Sequence, residues 1–256
     1  MARYFLPKGM RYSSLGERDT FYRLEFDFDQ IKKWFKSSGR MGKVIFAAVI
    51  GRHTRIFPPK YKDDISTTIL FDEYKNFNEI SDFLLDFLPE SLYYDRNLYE
   101  DGEIVGMEIA FDLDPENLIC PLHGSLNEKM KRGQGLGFCE TALNMVKNSA
   151  IKLYDELSKT FSHLGLVYSG RGFHIHIFDN DSFSWSYEKR KDLADTVLGK
   201  GFPIDEWVTS GGARLIRLPF SLHGMVSRIV YPLRIDELAD FNPIEDPRSK
   251  PSFLKD

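Results

Sequence analysis

The chain has 256 residues, 42% of them apolar and 28% charged, enough to bury a sizeable core and inconsistent with bulk disorder. Its net charge of -4 excludes a uniformly basic nucleic-acid coat, though not a local basic groove, and two cysteines exclude a disulfide scaffold and fit a reducing cytosol. No apolar run approaches the roughly 20 residues that span a bilayer, and residues 1–14 hold no stretch long enough for a signal peptide. A cytoplasmic protein without a membrane partner is therefore expected. No repeat and no long linker divides the chain, so residues 1–256 read as one domain.

Taken in chain order, the first feature is residues 31–62, which carry Lys32, Lys33, Lys36, Arg40, Lys43, Arg52, Arg55, Lys60 and Lys62 but no acid. This is either a solvated face or, with Trp34, Phe35, Phe57 and Tyr61, a surface that tracks a nucleic-acid backbone. Residues 43–50 form a continuous apolar run and predict a buried strand. Phe77, Ile80, Phe83, Leu84, Phe87 and Leu88 recur at helical spacing, and Pro89 stops the run.

Residues 105–114 alternate and predict a strand. Met107, Ile109, Phe111 and Leu113 share one face, and Glu108, Ala110, Asp112 and Asp114 share the other. Asp112 and Asp114 would stand about 6.7 Å apart along the strand. That spacing suits two carboxylates converging on a divalent cation such as Mg²⁺; the same pattern also serves strand-end acids that simply face water. Residues 115–138 are polar and glycine-rich and read as a loop or small insert.

Leu143, Val146, Ala150, Leu153, Leu157 and Phe161 predict the longest helix, and a shorter one runs over 187–198. Between them lie strands at 166–168 and 173–178, joined through Ser169-Gly170-Arg171-Gly172-Phe173-His174. Two glycines let main-chain N–H groups approach an anion, and Ser169, Arg171 and His174 add side-chain donors, as a triphosphate cradle requires. A plain hairpin turn with an exposed arginine is the alternative. Further on, Asp205 offers another carboxylate, and Arg217 and His223 flank a Pro-Phe-Ser turn that could hold both toward one ligand. Residues 228–233 predict a short strand, and residues 243–256 a weakly ordered tail. Strands and helices interleave without a regular βαβ period, so the class is α+β or mixed α/β.

Together, Phe111-Asp112-Leu113-Asp114, the Ser169–His174 loop and Ile204-Asp205 resemble the three motifs of the archaeo-eukaryotic primase superfamily, the small catalytic subunit of DNA primases above all. They occur in the family's order and at similar separations. The run from Arg214 to Gly224 is similar to the segment after the third motif, and the resemblance covers most of the chain. It implies an α+β fold with a mixed sheet bearing the carboxylates between flanking helices. It also implies that Asp112, Asp114 and Asp205 hold two Mg²⁺ or Mn²⁺ ions, with Glu206 a poorer third acid. Ser169, Arg171, Gly172, His174, Arg217 and His223 would then bind the nucleotide. The implied activity is template-dependent nucleotidyl transfer making primers on single-stranded DNA from nucleoside triphosphates. A nucleoid-associated location and a larger partner subunit are implied with it.

Small primase subunits usually carry a Cys/His zinc site between the first two motifs, and Cys120, His123 and Cys139 fall there. Ala142 stands where the resemblance implies the last cysteine, so the knuckle around 115–142 is degenerate or completed by another group. Two other readings stay open. One is a gap- or end-filling repair polymerase of the same superfamily, and the other a non-catalytic nucleotide- or nucleic-acid-binding module.

Overall fold

The computed structural model describes residues 4–40 and 42–255. The first three residues of the 1–14 segment and the last residue of the expected tail lie outside it. Twelve strands and eight helices are formed among the described residues. The strands are β1 Phe46–Val49, β2 Thr68–Phe71, β3 Ser91–Asp95, β4 Asn97–Glu100, β5 Glu103–Met107, β6 Ile109–Leu113, β7 Leu164–Tyr168, β8 Phe173–Ile177, β9 Leu215–Arg217, β10 Leu222–His223, β11 Arg228–Ile229 and β12 Tyr231–Leu233. The helices are α1 Leu15–Leu24, α2 Phe28–Ser37, α3 Phe77–Phe87, α4 Leu126–Lys131, α5 Glu140–Leu157, α6 Tyr187–Gly199, α7 Glu206–Ser210 and α8 Ile235–Leu238.

Two four-stranded sheets dominate, one ordered β2-β1-β3-β9 and the other β12-β7-β8-β6. The class is α+β, and every strand pair within these two sheets is antiparallel. The alternation along β6 explains the layering. Ile109, Phe111 and Leu113 turn into a core shared with Val146, Ala150 and Leu153 of α5 and Ala194 of α6. Each of the larger side chains among these contributes about 1.5–3 kcal/mol when fully buried. Ala110 points the other way, into a second core with Phe35, Phe46, Tyr94 and Ile216. The acidic face of β6 thus looks toward the first sheet rather than toward water.

Several expected elements change shape. The strand over 105–114 breaks at Glu108: β5 pairs with β4 as a hairpin, and β6 pairs with β8. The Glu108 N–H donates to Arg96 O at 3.0 Å, continuing the Asn97–Met107 register, and the pairing with β8 begins at Ile109. Helix α1, which apolar periodicity does not reveal, is announced by Ser14 and Glu17. Ser14 Oγ accepts from the Glu17 N–H while the Glu17 carboxylate accepts from the Ser14 N–H, a reciprocal cap.

The segment 243–255, expected to be loosely ordered, is docked instead. Ser249 is buried with its hydroxyl on Pro243 O, and Ser252 binds the Glu25 carboxylate. Arg228, also buried, donates to Pro243 O and Ile244 O. These polar ties hold a segment whose prolines and charges gave no packing signal. Among the described residues no helix is long and apolar enough to cross a membrane.

Candidate active site

The centre is the antiparallel pair β6 and β8, where Asp112 stands opposite His174 and Ala110 opposite His176. Asp112 Oδ1 lies 3.4 Å from His174 Nε2. Asp114 follows just beyond the strand. The 169–174 loop reaches these acids because it is unusually tight. Ser169 Oγ accepts from the Gly172 N–H at 3.1 Å, and the Ser169 N–H donates to Gly172 O at 2.9 Å. Both glycines are sterically required. A Cβ on Gly172 would sit 2.0 Å from Leu113 O and 2.5 Å from Asp114 Oδ1. Gly170 has φ +99° and lies against the His223 ring. The turn therefore joins the carboxylate strand to His223 by backbone contact.

A cavity of about 160 Å³ gathers Asp112, Asp114, Ser169, Arg171, His174, Arg217 and His223. It also takes in His53, Tyr93 and Glu116, which the sequence does not single out. Two kinds of buried atom lack a hydrogen-bond partner here. Asp112 Oδ1 and Asp114 Oδ1 are orphaned acceptors, while Arg171 Nε, Arg217 Nη1, His174 Nδ1 and His223 Nδ1 are orphaned nitrogens. Such groups are costly unless a ligand satisfies them.

The electrostatics follow from crowding. Burial, and then Asp114, Glu116 and Asp205, push Asp112 well above the ordinary carboxylate range. Asp114 is raised by burial too, against the pull of Arg171. Burial drives His174 and His223 well below the usual imidazole value, helped for His174 by His176 and Arg217 and for His223 by Arg217 and Arg171. Both rings are thus neutral at neutral pH. Arg217 rests over Tyr93, its Cζ 4.7 Å from the ring centre and Nη2 donating to the phenol oxygen at 3.0 Å.

Asp205 is the N-cap of α7, one carboxylate oxygen accepting from the Trp207 N–H at 2.9 Å. Its own N–H donates to Asp112 O at 2.9 Å, which ties the third motif to the first. The carboxylate does not line the cavity itself, but its charge reaches Asp112. Glu206 turns away to Lys191 at 3.1 Å. The orphaned oxygens of Asp112 and Asp114, with a further carboxylate within electrostatic reach, form the all-oxygen donor set that suits Mg²⁺ or Mn²⁺.

His53 arrives on a loop braced from beneath. Glu90 accepts from the backbone N–H groups of His53 and Thr54 and from the Thr54 hydroxyl. The fully buried Arg18 donates to Ile50 O, Ile56 O, Leu88 O and Thr54 Oγ1. Nothing local in the sequence links residues 18, 53 and 90; the Arg52-His53 pair beside the predicted strand was the available signal.

Behind the site, Glu108 is buried and accepts from Tyr94 Oη at 2.8 Å, with His176 Nδ1 at 2.6 Å and Arg40 Nη1 at 3.4 Å. Arg40 is therefore a structural bridge between the two sheets and not part of a solvent-facing basic strip. Other members of that strip are also engaged: Lys32 with Asp29 and Lys60 with Asp86.

Cys120, His123 and Cys139 do converge. Cys120 Sγ is 3.6 Å from Cys139 Sγ and 3.7 Å from His123 Nδ1, and all three donor atoms lie within 4.8 Å of one another. A tetrahedral zinc site sets neighbouring donors about 3.5–3.8 Å apart, so the three fit that group. Ala142 is buried in a hydrophobic cluster with Met10, Phe138 and Leu143. Phe5 stacks on the His123 ring at 4.4 Å.

No family model matches the chain. It is 45% identical to an uncharacterized DNA primase small subunit-like protein of Archaeoglobus fulgidus, over 98% of this chain and 94% of that one. It is 28% identical to the DNA primase small subunit PriS of Saccharolobus solfataricus and 27% identical to that of Methanococcoides burtonii. It spans 64% and 37% of the lengths of those two subunits. Among solved structures, the polymerase domain of ligase D from Mycobacterium tuberculosis, in complex with DNA, aligns over 98% of this chain and 93% of that one. The TM-score is 0.54 at 12% identity, a likeness of fold alone. With 45% identity sustained over almost its whole length, the chain belongs to the DNA primase small subunit-like family.

Proposed function

We propose that the protein is a template-dependent nucleotidyltransferase that builds primers on single-stranded DNA from nucleoside triphosphates. One observation carries this reading. Orphaned carboxylate oxygens and orphaned cationic or imidazole nitrogens line the same small cavity. A divalent cation bound to a triphosphate would satisfy both sets at once, with the carboxylates available to the cation and the nitrogens to the phosphate.

Asp112, Asp114 and Asp205 would hold Mg²⁺ or Mn²⁺, with Asp205 using the oxygen its helix cap leaves over. When bound, such ions supply charge neutralisation at the attacked phosphorus and at the leaving pyrophosphate. The chain's own residues bind and orient. Arg171 and Arg217 present guanidinium donors to phosphate oxygens, Arg217 held by Tyr93. His174 and His223 stay neutral and so do not compete with a cation for the carboxylates. The Ser169–Gly172 turn keeps the loop at fixed distance from Asp114. Preformed donors of this kind lower the barrier without reorganising during the reaction.

The test is unprimed synthesis on single-stranded DNA with labelled nucleotides and Mn²⁺ or Mg²⁺, run beside Asp112→Ala/Asp114→Ala. Product from the native chain alone supports the reading. Product only on a primed template favours the gap-filling alternative, and nucleotide binding without product on either favours a binding module. Cys120, His123 and Cys139 would hold a zinc ion with one position left for a further ligand. Metal analysis of the purified chain should find about one zinc, lost in Cys139→Ser.

A further inference from the structure

Arg171 is the residue expected to grip phosphate, yet its guanidinium is already engaged. Glu116 Oε2 is ion-paired to Arg171 Nη2, and Asp114 Oδ2 lies 3.7 Å from the same nitrogen. The arginine side chain is only 6% exposed and its Nε has no partner. Glu116 is 28% exposed, so it has solvent to move into, whereas Arg171 has nowhere to go. Pro115 stiffens the step between Asp114 and Glu116, directly after the carboxylate strand.

Resting on the nucleotide-binding reading above, we propose that Glu116 stands in for a phosphate on Arg171 and so makes triphosphate binding depend on the divalent cation. Carboxylate and phosphate compete for the same donor fork. Without a cation, the cavity lining carries three carboxylates, Asp112, Asp114 and Glu116, against two guanidiniums, Arg171 and Arg217. A polyanion entering that field meets repulsion from whichever of these acids is ionised and must also displace Glu116 from its ion pair. A cation on Asp112 and Asp114 removes most of the repulsion, and the incoming phosphate then takes Arg171 from Glu116. Glu116 is thus a positioning residue. It keeps the arginine ordered in the empty site and sets how strongly metal and nucleotide binding are coupled, a coupling that is reciprocal between the two ligands.

The experiment measures binding of deoxyadenosine triphosphate to the full chain by calorimetry, in EDTA and in Mn²⁺, for the native protein, Glu116→Gln and Glu116→Asp. In Glu116→Gln the affinity in EDTA should rise about tenfold, the worth of one charge-assisted contact, while the affinity in Mn²⁺ changes little. The metal-dependent gain should shrink by the same factor. Glu116→Asp, which retracts the charge by one methylene, should shift in the same direction by less and guards against a folding defect in the first variant. Mn²⁺ binding alone, counted by electron paramagnetic resonance, should be unchanged. An EDTA affinity that stays level or falls in Glu116→Gln overturns the proposal. So does a loss of Mn²⁺ binding, which would make Glu116 a metal ligand. Failure of the native chain to bind the nucleotide even with Mn²⁺ would instead remove the functional reading beneath it.

Discussion

Asp112 and His174 face each other across neighbouring antiparallel strands, carboxylate oxygen to ring nitrogen at 3.4 Å. Neither is relieved by the other. Burial holds the imidazole neutral, and burial with three nearby acids leaves the carboxylate strained toward its protonated form. The arrangement suits a ligand better than it suits the empty fold.

Asp112→Asn should therefore separate stability from activity. The folded carboxyl is raised above its unfolded value, so its contribution is intact below about pH 4 and is lost as pH rises toward the folded value. His174 and His223 shift oppositely: their folded values are depressed, so their contribution is present above about pH 6.5 and is lost as pH falls. The histidines cancel when variant and native protein are compared. In EDTA the variant should melt at the same temperature as the native chain near pH 4 and about 2–4 °C higher at pH 8. Nucleotidyl transfer should fall by about a thousandfold or more. A melting difference that does not change with pH would sink the electrostatic account.

Gly172→Ala should damage the site from its backbone. The added methyl group meets Leu113 O at 2.0 Å, a main-chain atom in a paired strand that cannot step aside. Overpacking of this kind costs about 1–3 kcal/mol. Urea titration should show that loss together with weakened nucleotide binding. Gly199→Ala, where the new methyl group meets nothing within 4 Å, is the matched control and should be neutral or slightly stabilising.

His53→Ala should lower nucleotide affinity while leaving the fold intact, because its ring lines the cavity and makes no hydrogen bond that braces the loop. A loss of about fivefold to tenfold in affinity is expected, with the melting temperature unchanged. Glu90→Ala should do both kinds of harm. It leaves two backbone N–H groups and the Thr54 hydroxyl without their acceptor, so stability and affinity fall together. Equal stability loss in the two variants would contradict the division of roles.

Glu108→Ala should be the most destabilising of these changes. It strips the shared acceptor from Tyr94, His176 and Arg40 and leaves the guanidinium buried with less compensation. Breaking a buried pair from one side costs about 3–5 kcal/mol. Chemical denaturation of Glu108→Ala and Glu108→Gln should rank alanine well below glutamine, which still offers a carbonyl oxygen to Tyr94.

How much of this was legible beforehand depends on the range of the interaction involved. Alternation along 105–114 was enough to put Glu108, Ala110 and Asp112 on one face, because side-chain direction in a strand is set by the backbone two residues at a time. The same locality made the Ser169–Gly172 turn readable, and helices α3 and α5 from their apolar spacing. Helix α1 was readable in principle from Ser14 and Glu17, a capping signal that periodicity alone does not report.

What the amino-acid sequence determined by itself, then, is the inventory of chemical groups and the face or turn each occupies. Tertiary structure decided which surface each face meets. Nothing local tells that the acidic side of β6 would be closed by Tyr94 and Arg40, or that an arginine in an acid-free run would be buried as a bridge. The same holds for Glu116 reaching Arg171 across 55 residues, and for Arg18 holding a loop 32 to 38 residues away. Those contacts depend on how the two sheets, the helices and the loops pack on one another, and long-range packing, unlike strand alternation or helix capping, leaves no periodic trace in the chain.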